Sequence, residues 1–328
     1  MLSIDAIEHI LAALPAARVG LVGDLFLDRY LDIDPALDEP SVETGLTAYQ
    51  VVGVRAYPGA LGTVMNNLSA LGVGQIVPLT VIGDDGEGYE LRQALGRVRG
   101  VEASMVVVSA ERRTPTYTKP MAGGRELNRL DIKNRTPTPS HLEDAILERL
   151  PELIARVDAL VVLDQVSEEN CGVVTSRVRE AICAIAEARG GSLFVLTDSR
   201  ERIGEFRHVT VKPNERECGP DILGLARRVG GSVFCTRGQR GIDFARPGDT
   251  ESVGVPGYRV AGPIDVCGAG DSCTAGLVAA KLAGLSDLQA AAFANLVASI
   301  TVQQVGTTGT ATPAQVRARW AEVIGASS

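Results

Sequence analysis

A chain of 328 residues with 45% hydrophobic and 22% charged content can form one large folded unit and is ordinary in composition for a soluble globular protein. Its net charge of −8 and pI near 5.1 argue against nucleic acid or an anionic membrane as the main partner. Three scattered histidines (His9, His141, His208) argue against a histidine-based mechanism, and six cysteines without C-x-x-C or zinc spacing predict free thiols in a reducing cytoplasm.

Ser3 to Leu14 has helical apolar spacing and lacks the cationic flank of a signal peptide. Arg18 to Val22 reads as a short strand ending at Gly23-Asp24. Residues 29–57 are polar, broken by Pro35 and Pro40, with a β-prone piece at Tyr49 to Val54. Thr63 to Leu71 predicts a helix stopped by Gly72. Gln75 to Ile82 is strand-like and leads through Gly83-Asp84-Asp85-Gly86 into a helix that runs through Leu95. Met105 to Val108, Thr114 to Met121 and Leu127 to Ile132 alternate in the way of exposed antiparallel strands.

From His141 the rhythm changes. Helices over 141–150, 170–188 and 220–229 alternate with apolar strands at Ala159–Leu163, Leu193–Thr197, His208–Val211 and Ser232–Thr236. Such alternation predicts an α/β fold, a mostly parallel sheet covered by helices on both faces. The β-prone excursions at about 29–57 and 104–135 lie outside this rhythm. They are read as two insertions forming a small lid on a single domain, 1–328. No apolar run is long enough to span a membrane.

The most informative segment is Asp265-Val266-Cys267-Gly268-Ala269-Gly270-Asp271, which runs into an apolar helix. Glycines before a helix N-terminus present backbone N–H groups and a positive dipole end, an anion site. A carboxylate at Asp271 is out of place there unless it accepts a proton from a hydroxyl that attacks a bound phosphate. The plainer alternative is a glycine-rich turn with Asp271 as a helix cap.

In parallel sheets ligands bind beyond the carboxyl ends of the strands. Asp24 and Asp28 follow the first strand, Asp164 and Asp198 end later ones, and Asn214 with Glu217 and the run Thr236-Arg237-Gly238-Gln239-Arg240-Gly241 follow others. Each alone could be a cap or a turn residue; their convergence on one edge points to a site. Neither G-x-x-x-x-G-K-[ST] nor G-x-G-x-x-G before a helix occurs. Phosphate charge would therefore fall to backbone amides, Mg²⁺, Arg237 or Arg240.

Asn214-x-x-Glu217, Thr236-x-Gly238-x-x-Gly241, Asp265-x-x-Gly268-Ala269-Gly270-Asp271, Phe293-Ala294-Asn295 and Gly306 to Thr312 resemble, in order, the signatures of the ribokinase-like (PfkB) sugar kinases. Gly23-Asp24-x-x-x-Asp28, Pro115 to Lys119 and Asn128 to Asp131 resemble the bacterial heptose-phosphate kinase branch. The resemblance implies a three-layer α/β/α fold and ATP-dependent phosphorylation of a sugar or sugar phosphate. Asp271 would be the base, and the amides of Gly268, Ala269 and Gly270 the anion hole. Asn214 and Glu217 would hold Mg²⁺ and phosphate through water. Thr236, Arg237, Gly238, Gly241 and Asn295 would serve the nucleotide, and Asp265 a monovalent cation such as K⁺. Asp24, Asp28, Gly59, Thr63 and Asp164 would face the sugar.

The chain departs from the family pattern at Gly59-Ala60 and Thr63, where paired glycines and an Asn are usual. It departs again at Asp164-Gln165-Val166-Ser167-Glu168, where the heptose branch shows Asp-Tyr-x-Lys-Gly. A nucleoside or other small-alcohol kinase of the same fold, and a non-catalytic sugar sensor, are the alternatives. A homodimer joined through the lid is expected to cover its free strand edges.

Overall fold

The computed structural model describes residues 2–306 and 308–325; Met1, Thr307 of the tail motif and residues 326–328 lie outside the described residues. The strand Arg18–Gly23 is buried along all but its first residue. It pairs in parallel with Ala159–Asp164 on one side and Gln75–Gly83 on the other. Nine strands follow the order Val253–Val255, Ile242–Ala245, Val233–Thr236, Thr210–Val211, Phe194–Ser199, Ala159–Asp164, Arg18–Gly23, Gln75–Gly83, Val106–Ser109. Ile242–Ala245 runs antiparallel to both its neighbours; the other pairings are parallel.

Side chains alternate between the two faces of this sheet, as a pleat requires. Val161 and Leu163 enter a core with Ile7, Leu68, Leu277 and Phe293. Leu160 and Val162 enter a second core with Ile146, Val178 and Leu225. Helices Ile4–Ala13, Leu61–Leu71, Ala269–Leu282 and Asp287–Thr301 cover the first face. Ser140–Arg156, Ser176–Arg189 and Ile222–Val229 cover the second. The architecture is a three-layer α/β/α sandwich. Among the described residues no helix is long and apolar enough to cross a membrane.

A smaller sheet stands apart, in the order Leu130–Ile132, Thr116–Ala122, Leu25–Ile33, Val51–Ala60. Thr116–Ala122 pairs antiparallel with Leu130–Ile132, as the alternation predicted, and in parallel with Leu25–Ile33 on its other side. That reading also expected an exposed strand near Met105–Val108. Val106–Ser109 instead forms the edge of the central sheet, parallel to Gln75–Gly83. The helix predicted over 141–150 continues through Pro151 to Arg156, because burying Leu153 and Ile154 outweighs the lost backbone bond. The helix predicted from 170 begins at Ser176, capped by Thr175. The strand predicted from His208 shortens to Thr210–Val211, since His208 adopts φ 60°.

Candidate functional site

The helix Ala269–Leu282 begins after Gly268, which sits at φ 76° and ψ 3°. A Cβ at Gly268 would meet Thr308 Cγ2 at 2.5 Å and Thr63 Cγ2 at 3.3 Å, so the turn requires glycine. The Ala269 N–H donates to the Val266 carbonyl, and no side chain caps the helix. Its next amides are left for an anion. Asp271 stands in this first turn, half-buried. Burial and then the Asp198 charge push its carboxyl up to about 7, against the opposing charges of Lys212 and Arg200. Asp28, from the smaller sheet, pushes in the same direction as Asp198.

Lys212 follows the strand Thr210–Val211, and its ammonium lies 2.8 Å from Asp198 Oδ2 with both residues buried. The sequence reading did not single out Lys212. Its place directly before Pro213-Asn214, at a strand's carboxyl end, was the available signal. Asn214 and Glu217 form a reciprocal capping box on the short helix Glu215–Cys218. Glu217 N donates to Asn214 Oδ1 at 3.0 Å, and Asn214 N to Glu217 Oε2 at 2.8 Å. Burial raises the Glu217 carboxyl above its ordinary range. The Thr236 N–H donates to the Pro213 carbonyl at 2.9 Å, which brings these two motifs side by side.

Several predicted residues spend their polar atoms on the protein. Arg237 pairs with Glu215 and Asp243, each at 3.0 Å, and Arg240 pairs with Glu215 at 2.7 Å. The buried Asn295 donates to the carbonyls of Val255 and Pro256. Gly238 and Gly241 take φ 58° and 97°, and a Cβ at Gly241 would run into the Val255 carbonyl. Asp265 accepts from Cys267 N at 2.9 Å and from Gly306 N at 3.1 Å, tying the glycine turn to the tail segment.

On the opposite side of the turn, Asp28 faces Lys119 at 3.5 Å, and Lys119 donates to the Tyr30 hydroxyl at 3.2 Å. Burial raises the Asp28 carboxyl, with Lys119 opposing. A Cβ at Gly59 would collide with the Asp28 carboxylate, and Thr63 lies against Gly268. Asp28, Gly59, Thr63, Gly268 and Asp271 thus come together. Asp24 and Asp164 play a different part. Asp24 accepts the amides of Gln165, Val166 and Val173, and burial pushes its carboxyl up to about 6. Asp164 accepts Arg202 Nε, Arg202 Nη2 and the Ser199 hydroxyl.

A cavity of roughly 100 Å³ lies beside Phe26, Tyr117, Gln165 and Arg200. A cleft of roughly 480 Å³ runs past Asp28, Tyr30, Asn66 and Thr308. Among the described residues no group of three His, Cys, Asp or Glu side chains could hold a metal ion.

A three-layer α/β/α sandwich with an uncapped glycine turn at its strand ends is the fold of ribokinase-like kinases. The chain superposes on a putative ribokinase from Agrobacterium tumefaciens with a TM-score of 0.68 and 19% identity, covering 93% of this chain and 99% of that one. A putative ribokinase II from E. coli, solved in complex with ATP and Mg²⁺, gives 0.66 and 17% over 93% and 99%. Residues 30–315 match the pfkB family of carbohydrate kinases. The chain belongs to that family and is a carbohydrate kinase, a phosphotransferase. A bifunctional protein HldE from Pelobacter propionicus is 30% identical over 329 residues, 95% of this chain and 64% of the relative. The HldE from Rhodospirillum rubrum is 31% identical over 354 residues, 98% of this chain and 67% of the relative. The chain spans about two thirds of the length of these curated relatives.

Proposed function

We propose that this kinase transfers the terminal phosphoryl group of ATP to a hydroxyl of a sugar or sugar phosphate. The observation that carries the reading is Asp271 in the first turn of an uncapped helix that starts after Gly268, whose positive φ and close neighbours favour glycine. Asp271 takes the hydroxyl proton. The amides of Gly268 and Gly270 receive the transferring group, whose charge grows in the transition state; Ala269, expected to join them, instead gives its N–H to the Val266 carbonyl. That cradle fits a phosphate because no side chain caps the helix start, which leaves backbone donors for an anion. Asn214 and Glu217 would hold Mg²⁺ and the phosphates through water. Thr236, Gly238, Gly241 and the backbone fixed by Asn295 would line the nucleotide. Asp265, which orients the loop through Cys267 and Gly306, would sit beside a monovalent cation such as K⁺.

Asp28, Gly59 and Thr63 would face the acceptor, with Asp24 and Asp164 holding the loop behind it. Arg200 and Lys133 border the cavity next to Tyr117. Cationic side chains there support a sugar phosphate over a neutral sugar. The Arg129 guanidinium covers one face of the Tyr117 ring at 4.4 Å, which disfavours stacking of a nucleobase on that face. Relatives named bifunctional carry two activities; the part matched by this chain supports the kinase.

The edge strand Val51–Ala60 exposes Val51, Val52 and Val54 at 46%, 62% and 54%, so both of its faces are open. A second copy of the chain pairing there, in a homodimer through this lid sheet, would cover them. Six free thiols support a reducing, cytoplasmic location. A screen of sugars, sugar phosphates and nucleosides for ADP release tests the reading. Turnover confined to sugars or sugar phosphates is expected; turnover with nucleosides alone would overturn it.

A further inference from the structure

We infer that Lys212, held in place by Asp198, is the cation that meets the transferring phosphoryl group from beneath the glycine cradle. The inference rests on the proposed phosphoryl transfer at Gly268 to Asp271. The Lys212 ammonium nitrogen lies 3.7 Å from the point that a Cβ at Gly270 would occupy. Its partner Asp198 holds it at 2.8 Å, and both residues are buried. An ammonium carries three donors. Asp198 Oδ2 engages it, and no second carboxylate pairs with it among the described residues.

The two arginines that the sequence offered for the phosphates are turned elsewhere. Arg237 and Arg240 are committed to Glu215, and Arg237 also to Asp243. Kinases of other folds place a P-loop lysine on the phosphates; this chain has no such motif. Lys212 offers a positive charge at the corresponding moment of the reaction, from a position where water does not screen it.

The pair is oriented as well as buried. Lys212 approaches Gly270, where charge builds on the phosphoryl oxygens, while Asp198 strengthens the hold of Asp271 on a proton. Burial opposes charge on the ammonium, but Asp198 outweighs it and holds Lys212 above the ordinary lysine range. During transfer the bond from the terminal phosphorus to the ATP bridging oxygen breaks, leaving ADP. The acceptor oxygen bonds to phosphorus, and its proton passes to Asp271. Lys212 neither gains nor loses a proton; it offsets negative charge on the transferring oxygens.

The test compares Lys212→Met, Lys212→Arg and the double variant Lys212→Met with Asp198→Asn. The double variant removes both charges and leaves no lone buried carboxylate, so it separates charge from folding. In both Met variants kcat should fall about 10²–10³-fold, the cost of one lost transition-state donor. The Kd for ADP and the KM for the acceptor should stay within about threefold, since neither ground state fills the cradle with a phosphoryl group. Lys212→Arg should recover at least about tenfold of that loss, because a cation is restored. A folded double variant with kcat within about fivefold of the parent enzyme would overturn the inference while leaving the base assignment intact. Unchanged turnover in Asp271→Asn would instead overturn the underlying reading.

Discussion

Asp164 and Arg202 form a buried, two-pronged ion pair, with Arg202 Nη2 2.6 Å from Asp164 Oδ1 and Arg202 Nε 3.0 Å from Asp164 Oδ2. Arg202 also donates to the carbonyls of Val166 and Ser167. The pair therefore pins the loop after Ala159–Asp164, the segment where the chain departs from the heptose branch. Breaking a buried pair leaves an uncompensated charge, so Arg202→Met should lower stability by about 3–5 kcal/mol. Chemical denaturation measures this. A loss below about 1 kcal/mol would show that the pair is not structural.

Activity should depend on pH through Asp271. Its carboxyl is pushed up to about 7, and only the ionised form can accept the hydroxyl proton. As pH falls below about 7, kcat/KM should drop roughly tenfold per unit. Asp198 raises this carboxyl, so Asp198→Asn should move the limb to lower pH. A pH–rate profile flat between 5 and 8, or a limb that moves upward in the variant, would contradict the assignment.

Stability should show the opposite trend. A carboxyl whose folded pKa lies above its unfolded value favours folding when protonated, and that benefit is lost as pH rises through the folded value. Asp271→Asn should therefore raise Tm at pH 8 and leave it nearly unchanged at pH 4. Differential scanning calorimetry at the two pH values reads the difference. An equal shift at both would mean that charge is not the cause.

Ala60 carries φ 52° and ψ −112° at the start of the helix Leu61–Leu71. This conformation favours glycine, and strain of this kind costs on the order of 1–3 kcal/mol. Ala60→Gly should stabilise the protein by about 1 kcal/mol net of the added chain entropy. A fall in Tm would show that Ala60 is not strained.

How far the site was legible depended on distance along the chain. The turn at Gly268 and the carboxylate at Asp271 lie within four residues, so local spacing alone placed them together. The pairing of Lys212 with Asp198 bridges neighbouring parallel strands, and Arg202 reaches back 38 residues to Asp164. No local pattern encodes either contact. The same holds for the small sheet. Alternation identified Thr116–Ala122 as a strand, but its partner, Leu25–Ile33, comes from the far side of two α-helices and five strands. Asp24 was visible as a strand-end carboxylate; only its three amide donors distinguish a scaffold from a ligand contact.

The exposed edge strand predicts self-association. Val52→Lys with Val54→Lys should convert a dimer to a monomer with Tm little changed, because both side chains are more than half exposed. Sedimentation velocity distinguishes the states. A parent protein that is monomeric at micromolar concentration would contradict the pairing.

The central claim is tested most directly by single-turnover phosphoryl transfer in Asp271→Asn, with nucleotide binding measured on the same sample. The account predicts a rate reduced by about 10²–10⁴ and an ATP Kd within about threefold of the parent. A variant that transfers phosphate at the parental rate would contradict it.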